Sequence, residues 1–300
     1  MQISANSLSL QAVNFLIMTV FTTKQALENA LTPIREEDST VGFVPTMGAL
    51  HEGHLSLILK ALAESDVVVV SVFVNPTQFN STSDLAEYPR TLAQDLAKLE
   101  TLATSKILVY TPEVQDIYGD SIEATAFDFG GLEFQMEGKF RPGHFNGVGT
   151  VVQRLFEIVQ PHFAYFGEKD FQQLLIIKKL VQILKLPIQV IGCPIARAEN
   201  GLALSSRNMR LSPKHQAYAS KIYSVLKKTK EKFKFESPIQ IKAWVADQFK
   251  NDPVLSLEYF EISEDSSLIP MKIKQHNTNY RAFVAVYAGD VRLIDNIALN

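Results

Sequence analysis

The sequence is poor in the features that mark several large classes of protein. One cysteine, Cys193, occurs among 300 residues, which excludes an internal disulfide framework and fits a reducing, cytoplasmic compartment. It lies in the mostly apolar run 188–195 and reads as a buried structural thiol rather than a nucleophile. An excess of one charge is also missing: 29 Lys and Arg stand against 32 Asp and Glu, a net charge of -3. That balance predicts neither wholesale nucleic-acid binding nor membrane binding, while leaving room for a local basic pocket. No apolar stretch is unbroken enough to cross a bilayer, and there is no internal repeat, heptad array or low-complexity tract. No Cys/His or Ser/His/Asp set marks a covalent nucleophile. The apolar patch within residues 1–21 has no basic residue before it, so it does not read as a secretory signal. A regular pattern begins only after Met18, and residues 1–17 are expected to be a flexible extension or the product of an upstream start codon.

What is present is a large apolar fraction, 46%, with 20% charged residues, enough for one large domain or two ordinary ones. Thr22 or Thr23 is placed to cap a helix over 24–31. Strands are expected at 41–45, 67–74, 107–110, 162–166 and 187–195, separated by helices at 53–65, 92–102, 145–159 and 170–184. The run Val67 to Val74 is nearly continuous in β-branched residues, the pattern of a strand buried on both faces. Strands separated by helical crossovers predict an α/β fold, a Rossmann-like doubly wound parallel sheet over 18–195. From 196 to 300 the texture changes to a smaller α+β lid domain. There the expected elements are helices at 214–233 and 239–249, strands at 255–262 and 282–287, and a hairpin turn at Ala288-Gly289-Asp290.

The most informative segment is Pro45-Thr46-Met47-Gly48-Ala49-Leu50-His51-Glu52-Gly53-His54, between the first predicted strand and the next helix. Open α/β sheets bind ligands at strand carboxyl ends, and a helix N-terminus offers free N–H groups to phosphate. His51 and His54, three residues apart, share a helical face and can donate to phosphate oxygens, more favourably once protonated. Two plainer readings stand beside this one. The pair could be zinc ligands, although the i,i+4 spacing of HExxH and a third ligand are missing, or simply surface histidines. Asn75 and Gln78, after the 67–74 strand, can grip hydroxyl and carboxylate oxygens or merely build a turn. Lys169 sits at a strand–helix junction suited to phosphate, and Asp170 there reads as a helix cap or a ribose ligand. Leu204-Ser205-Ser206-Arg207 offers two hydroxyls and a guanidinium fork, or is a solvated loop. Asp95 reads as an exposed helical carboxylate or a Mg2+ ligand. Glu137, Lys139, Arg141 and His144 lie in a Gly-punctuated segment, a lid or a connection, and Arg197 reads as an interdomain ion pair or a ligand.

His51 to His54 match the His-x-Gly-His signature of the nucleotidyltransferase superfamily, and the longer string PTMGALHEGH resembles the pantothenate synthetase family. The resemblance continues in order through FVNPTQF (73–79), YPRT (88–91), RPGHF (141–145), FGEKDFQQ (166–173) and LSSRN (204–208), from about Met18 to Asn296. It implies ATP-dependent joining of pantoate to β-alanine through a pantoyl adenylate, with Mg2+ accompanying the nucleotide and no organic prosthetic group. By the same resemblance, pantoate meets Pro45, Thr46, Met47, Asn75, Tyr88, Gln78 and Gln173. ATP meets Met47, His54, Gly167, Lys169, Asp170, Ala196, Leu204, Ser205, Ser206 and Arg207. His51, His54, Lys169, Ser205, Ser206 and Arg207 carry the chemistry. Met often stands where this chain has Leu204, a swap of similar volume. A homodimer through the first domain is implied as well. The rival readings are another nucleotidyltransferase with a phosphorylated acceptor, a non-catalytic nucleotide-binding module and a zinc hydrolase.

Overall fold

A computed structural model describes residues 18–102 and 105–300, so the extension expected at 1–17 lies outside the described residues. The first part of the chain alternates strands and helices. These are β1 (Thr19–Phe21), α1 (Lys24–Glu36), β2 (Val41–Thr46), α2 (Glu52–Glu64), β3 (Val67–Val72), α3 (Thr82–Glu87), α4 (Leu92–Glu100), β4 (Ile107–Tyr110), α5 (Val114–Tyr118), α6 (Met136–Phe140), α7 (His144–Val159), β5 (Phe163–Gly167), α8 (Phe171–Leu184) and β6 (Gln189–Cys193). The six strands form one sheet in the order β1-β4-β3-β2-β5-β6, every adjacent pair parallel.

Both faces of that sheet are dry, which is why its strands read as unbroken apolar runs. Phe43, Val69 and Leu108 point to one face, where α1, α7 and α8 supply Leu27, Phe156 and Leu180. Val44, Val68, Val70 and Val109 point to the other, against Leu55 and Ile58 of α2. The alternation of Val68, Val69 and Val70 is the period-2 signature of a strand, hidden in sequence because both sides are covered.

The remainder forms the second, smaller unit. Helices α9 (Pro213–Lys232) and α10 (Pro238–Phe249) pack on a three-stranded antiparallel sheet of β7 (Leu255–Glu264), β8 (Tyr280–Ala288) and β9 (Val291–Ala298). Ile222, Leu226, Val245, Val284 and Val286 are among its core residues. Phe283 of β8 instead joins the core of the first unit, 6.1 Å from the ring of Phe171. A fold of this kind, a Rossmann-like parallel sheet followed by a small antiparallel α+β domain, is the one expected from the sequence.

Differences lie mainly at short elements and at ends. Helix α1 runs past its expected end at Leu31 and carries Pro33 inside it. The extension is held from outside, since Arg35 Nη2 donates to the Val159 carbonyl at 2.8 Å, at the end of α7. Strand β3 ends at Val72, two residues before its apolar pattern does. Strand β1 and helices α3, α5 and α6 are three to six residues long, too short to show a period.

Candidate active site

The sheet order places β2 between β3 and β5. The chain winds outward from β2 to β3 and β4 on one side, then returns to β5 and β6 on the other. A doubly wound sheet opens a crevice beyond its strand carboxyl ends where the winding reverses. The two segments that leave there are Met47 to His51, after β2, and Glu168 to Asp170, after β5.

The turn after β2 is tightly built. Gly48 and Ala49 both adopt positive φ, 77° and 50°, a conformation that costs a residue with a Cβ about 1 kcal/mol and favours glycine at the first position. Asp95 of α4 holds this turn. Its Oδ2 accepts from Ala49 N–H at 2.9 Å and its Oδ1 from Leu50 N–H at 2.7 Å, and Thr91 Oγ1 donates to the same carboxylate. Asp95 is 1% exposed. The expectation of an exposed Asp95 is therefore corrected: this carboxylate is buried and clamps backbone. Lys98, one turn further along α4, donates its Nζ to the Leu50 carbonyl.

The turn delivers His51 and His54 as the cap of α2. His51 Nδ1 accepts from Gly53 N–H at 3.1 Å, and His54 Nδ1 accepts from His51 N–H at 3.3 Å, a reciprocal capping box. The rings lie 4.0 Å apart. Gly53 is required by close approach, since a Cβ there would come within 2.8 Å of the His51 ring. Burial, then Lys169 and Lys98, lowers the pKa of His51 to about 4; burial, then His51 and Lys169, lowers that of His54 to about 3. Both rings are neutral near pH 7. Because each Nδ1 accepts, each proton sits on Nε2, and each ring offers one Nε2–H donor without becoming a cation.

Opposite the histidines, a 3-10 turn (Pro76–Gln78) presents Gln78, whose Oε1 accepts from Asn75 Nδ2 at 3.2 Å while Nε2 lies 3.0 Å from Met47 Sδ. Asn75 itself is fully used: Nδ2 also donates to Gly147 O, and Oδ1 accepts from Thr77 and, at 2.6 Å, from Tyr118 OH. Its amide nitrogen thereby helps to aim Gln78. Thr46 is likewise spent on backbone, donating to Ser71 O at 2.7 Å and accepting from Gly48 N–H.

After β5, Lys169 points its Nζ to within 3.6 Å of Asp170. Asp170 makes no side-chain cap to α8 and is half exposed, so the capping role expected for it is not found. From the segment beyond β6, Ser205 caps a 3-10 turn (Ser206–Arg210) by accepting from Arg207 N–H at 3.3 Å. Ser206, 7% exposed, donates its hydroxyl to Ala49 O at 3.1 Å, which joins this loop to the β2 turn. Arg197 forms an ion pair, but within the second unit and not between the two units as expected. It binds Asp295 of β9 through both nitrogens at 2.6 and 2.8 Å and lies 3.7 Å over the ring of Tyr223.

These pieces enclose one chamber of about 230 Å³. Pro45, Thr46 and Met47 line it together with His51, His54, Asn75, Gln78 and Tyr88; Gly167, Lys169, Asp170 and Gln173 close a second side. Ala196, Leu204, Ser205, Ser206 and Arg207 close a third. Of the site residues expected from sequence, Asp95 alone does not line it. A wider chamber of about 470 Å³ shares Arg141, Lys169, Asp170, Ser205 and Arg207 and extends to β9. Among the described residues no three His, Cys, Asp or Glu side chains gather as a metal site.

Some contributors were not legible. Val148, Val151, Val152 and Leu155 of α7 wall the chamber, though in sequence they are ordinary helix-core residues. Lys98 was missed too; its only signal was the i,i+3 spacing from Asp95. Glu137 and His144, expected in a lid or loop, are instead buried in helices.

A doubly wound sheet with paired helix-capping histidines, a lysine and a Ser-Arg loop around its switch point defines an α/β enzyme of the nucleotide-using class. The family described as pantoate-beta-alanine ligase matches residues 19–298. The pantothenate synthetase of Christiangramia forsetii is 52% identical over 283 residues, 94% of this chain and 100% of that protein. That of Flavobacterium psychrophilum is 50% identical, with 94% and 100% covered. The crystal structure of pantothenate synthetase from Thermus thermophilus superposes with a TM-score of 0.86 at 39% identity, covering 94% of this chain and 99% of that one. The Francisella tularensis enzyme, crystallised with a β,γ-ATP compound and β-alanine, superposes with a TM-score of 0.77 at 37% identity, covering 94% and 98%. The chain belongs to the pantoate–β-alanine ligase family, and its activity is the ATP-dependent ligation of pantoate to β-alanine.

Proposed function

We propose that this ligation runs in two steps within the 230 Å³ chamber. A pantoate carboxylate oxygen attacks the α-phosphorus of MgATP, a P–O bond forms, and the bond to the β-phosphate oxygen breaks to release pyrophosphate. The neutral β-alanine amine then attacks the acyl carbon; a C–N bond forms, the C–O bond to AMP breaks, and the amine proton leaves to water. Mg2+ enters as part of the nucleotide substrate.

The observation that carries this reading is the meeting, at one switch point, of neutral donors and cations on one side with amide groups on the other. His51 and His54 donate from Nε2 to phosphate oxygens, while Lys169 and Arg207 supply positive charge where it develops in the transition state. Ser205 adds a hydroxyl beside Arg207. Gln78 and Gln173 hold the hydroxyl and carboxylate of pantoate against Met47, Pro45 and Tyr88, and an acceptor without phosphate fits that uncharged pair. Gly167, Asp170, Ala196 and Leu204 flank the adenosine. No protein nucleophile is used, and the work is positioning and charge stabilisation.

We take the two domains to meet near residues 195–196, with the second closing over the nucleotide, and the protein to work in the cytoplasm as a homodimer. Among the described residues no helix is long and apolar enough to cross a membrane.

Pantoate-dependent exchange of labelled pyrophosphate into ATP, with Mg2+ and without β-alanine, tests the first step. Exchange that needs pantoate is the expected result. A folded protein that forms pantothenate but never exchanges pyrophosphate without β-alanine would sink the two-step order.

A further inference from the structure

If Gln78 holds pantoate, something must hold Gln78, because a short 3-10 turn at the end of a strand has few bonds of its own. The first turn of α7 does this. His144, 6% exposed, places Nδ1 2.8 Å from the Gln78 carbonyl oxygen and Nε2 3.2 Å from Arg141 Nη1. Arginine only donates, so Nε2 accepts, and the ring proton must sit on Nδ1 and point at the Gln78 carbonyl. Arg141 Nη2 reaches that same carbonyl at the longer distance of 3.4 Å. Burial, then the Arg141 charge, pushes the His144 pKa down to about 4, which keeps the ring neutral and its tautomer single near pH 7.

Two further contacts fix the same turn to the same helix. Asn75 Nδ2 donates to Gly147 O at 3.1 Å, and a Cβ on Gly147 would come within 2.3 Å of the Thr77 carbonyl oxygen. The backbone of 76–78 is therefore pressed onto α7 and tied there by one strong donor, the Nδ1–H of His144. The Gln78 side chain starts from that backbone and is aimed by Asn75 and Met47.

We infer that His144, held in one tautomer by Arg141, is a positioning residue for Gln78 and through it sets the affinity for the hydroxy-acid substrate rather than for ATP. The inference rests on Gln78 being a pantoate ligand, which the same experiment checks.

Steady-state kinetics of the full chain, varying pantoate and ATP separately, compares His144→Leu, His144→Asn, His144→Gln and Gln78→Ala. Leucine fills much of the space without a donor. Asparagine restores an N–H near the Nδ1 position, and glutamine reaches toward the Nε2 position instead. Losing one neutral hydrogen bond predicts a rise of about tenfold in the pantoate KM of His144→Leu and His144→Gln. The ATP KM should stay within about twofold, and His144→Asn should recover most of the loss. Equal rises in both KM values, or an asparagine variant as impaired as the glutamine one, would make His144 a space-filling residue and overturn the inference. An unchanged pantoate KM in the His144 variants alongside a raised one in Gln78→Ala would overturn it as well. If Gln78→Ala itself leaves the pantoate KM unchanged, the reading of Gln78 has failed, and the inference falls with it. Should His144→Leu fail to fold, the asparagine and glutamine pair still decides.

Discussion

At the scale of single residues, the histidines that cap α2 are neutral groups near pH 7. A capping nitrogen must accept, so the backbone N–H groups of His51 and Gly53 dictate where each proton sits before any ligand arrives. The spacing of three residues put both rings on one helical face in the sequence. It did not show the tautomer, which depends on a backbone conformation that the Gly48–Ala49 turn creates. The low pKa values carry a sign that can be tested. For His51, His54 and His144 the folded values lie below the ordinary 6.5, so between about pH 6.5 and 4 the unfolded chain binds protons that the folded one does not. Their contribution to stability is complete above 6.5 and is lost as the pH falls toward 4 for His51 and His144 and toward 3 for His54. Calorimetry of a His51→Asn, His54→Asn double variant should show a shallower fall in melting temperature from pH 7 to 5 than the parent. Asparagine is itself a good cap, so the helix start survives, while pyrophosphate exchange should drop by at least about a hundredfold. A pH slope identical to the parent's would mean that these rings titrate normally in the folded enzyme.

At the scale of elements, the loop after β2 is shaped by a helix that lies more than forty residues later. Asp95 and Lys98 project from one face of α4, and between them they take the Ala49 and Leu50 N–H groups and the Leu50 carbonyl. Asp95→Asn keeps one acceptor and loses the charge, a change worth about 2 kcal/mol for hydrogen bonds to a carboxylate. Its thermal unfolding should shift down and its exchange rate should fall. The Mg2+ concentration for half-maximal exchange should stay that of the parent, whereas a marked rise in it would return Asp95 to the metal. The same long-range dependence explains what was legible. The interior strands and long helices were visible because apolar period and β-branching are local, and 107–110 was placed to the residue. The motif residues were visible because chemistry-bearing side chains follow strand ends. The burial of Asp95 and the backbone partners of Asn75 and Ser206 were not legible because those partners lie in other segments, to which local pattern is blind. The capping role given to Asp170 failed for a related reason: a carboxylate at a helix start is free to face a lysine instead.

At the scale of the whole molecule, the chambers of the proposed site are lined by residues of both units, so the contacts between them bear on the proposed function. Ser206 reaches back to Ala49, and Asn296 of β9 donates to the carbonyls of Glu168 and Lys169 at 2.8 and 2.9 Å, beside the proposed phosphate lysine. The strongest joint is ionic. Arg292 of β9 meets Glu137 of α6 through both terminal nitrogens at 2.7 and 2.8 Å, and its Nε bonds Glu258 at 2.8 Å. Tyr259 OH donates to Glu137 at 2.8 Å. Burial would raise the pKa of Glu137, but Arg292 outweighs it and the carboxyl is held below its usual range. Its contribution to stability is then present above about pH 4.3 and lost as the pH falls through the lower folded value. Removing one partner of such a buried pair costs about 3 kcal/mol, because the other is left charged in a dry place, whereas replacing both with apolar groups is far milder. Arg292→Met should therefore lower the melting temperature sharply, and adding Glu137→Met should recover part of the loss, since Glu258 still lacks its partner. Pyrophosphate exchange should follow the same order, since a displaced β9 no longer supports the Glu168–Lys169 carbonyls. Recovery of stability without recovery of exchange would mean that the ion pair itself sets the geometry of the cleft. A double variant no more stable than the single would show that the loss does not come from leaving Glu137 unpaired, and would place it in the Glu258 contacts or the packing of Arg292.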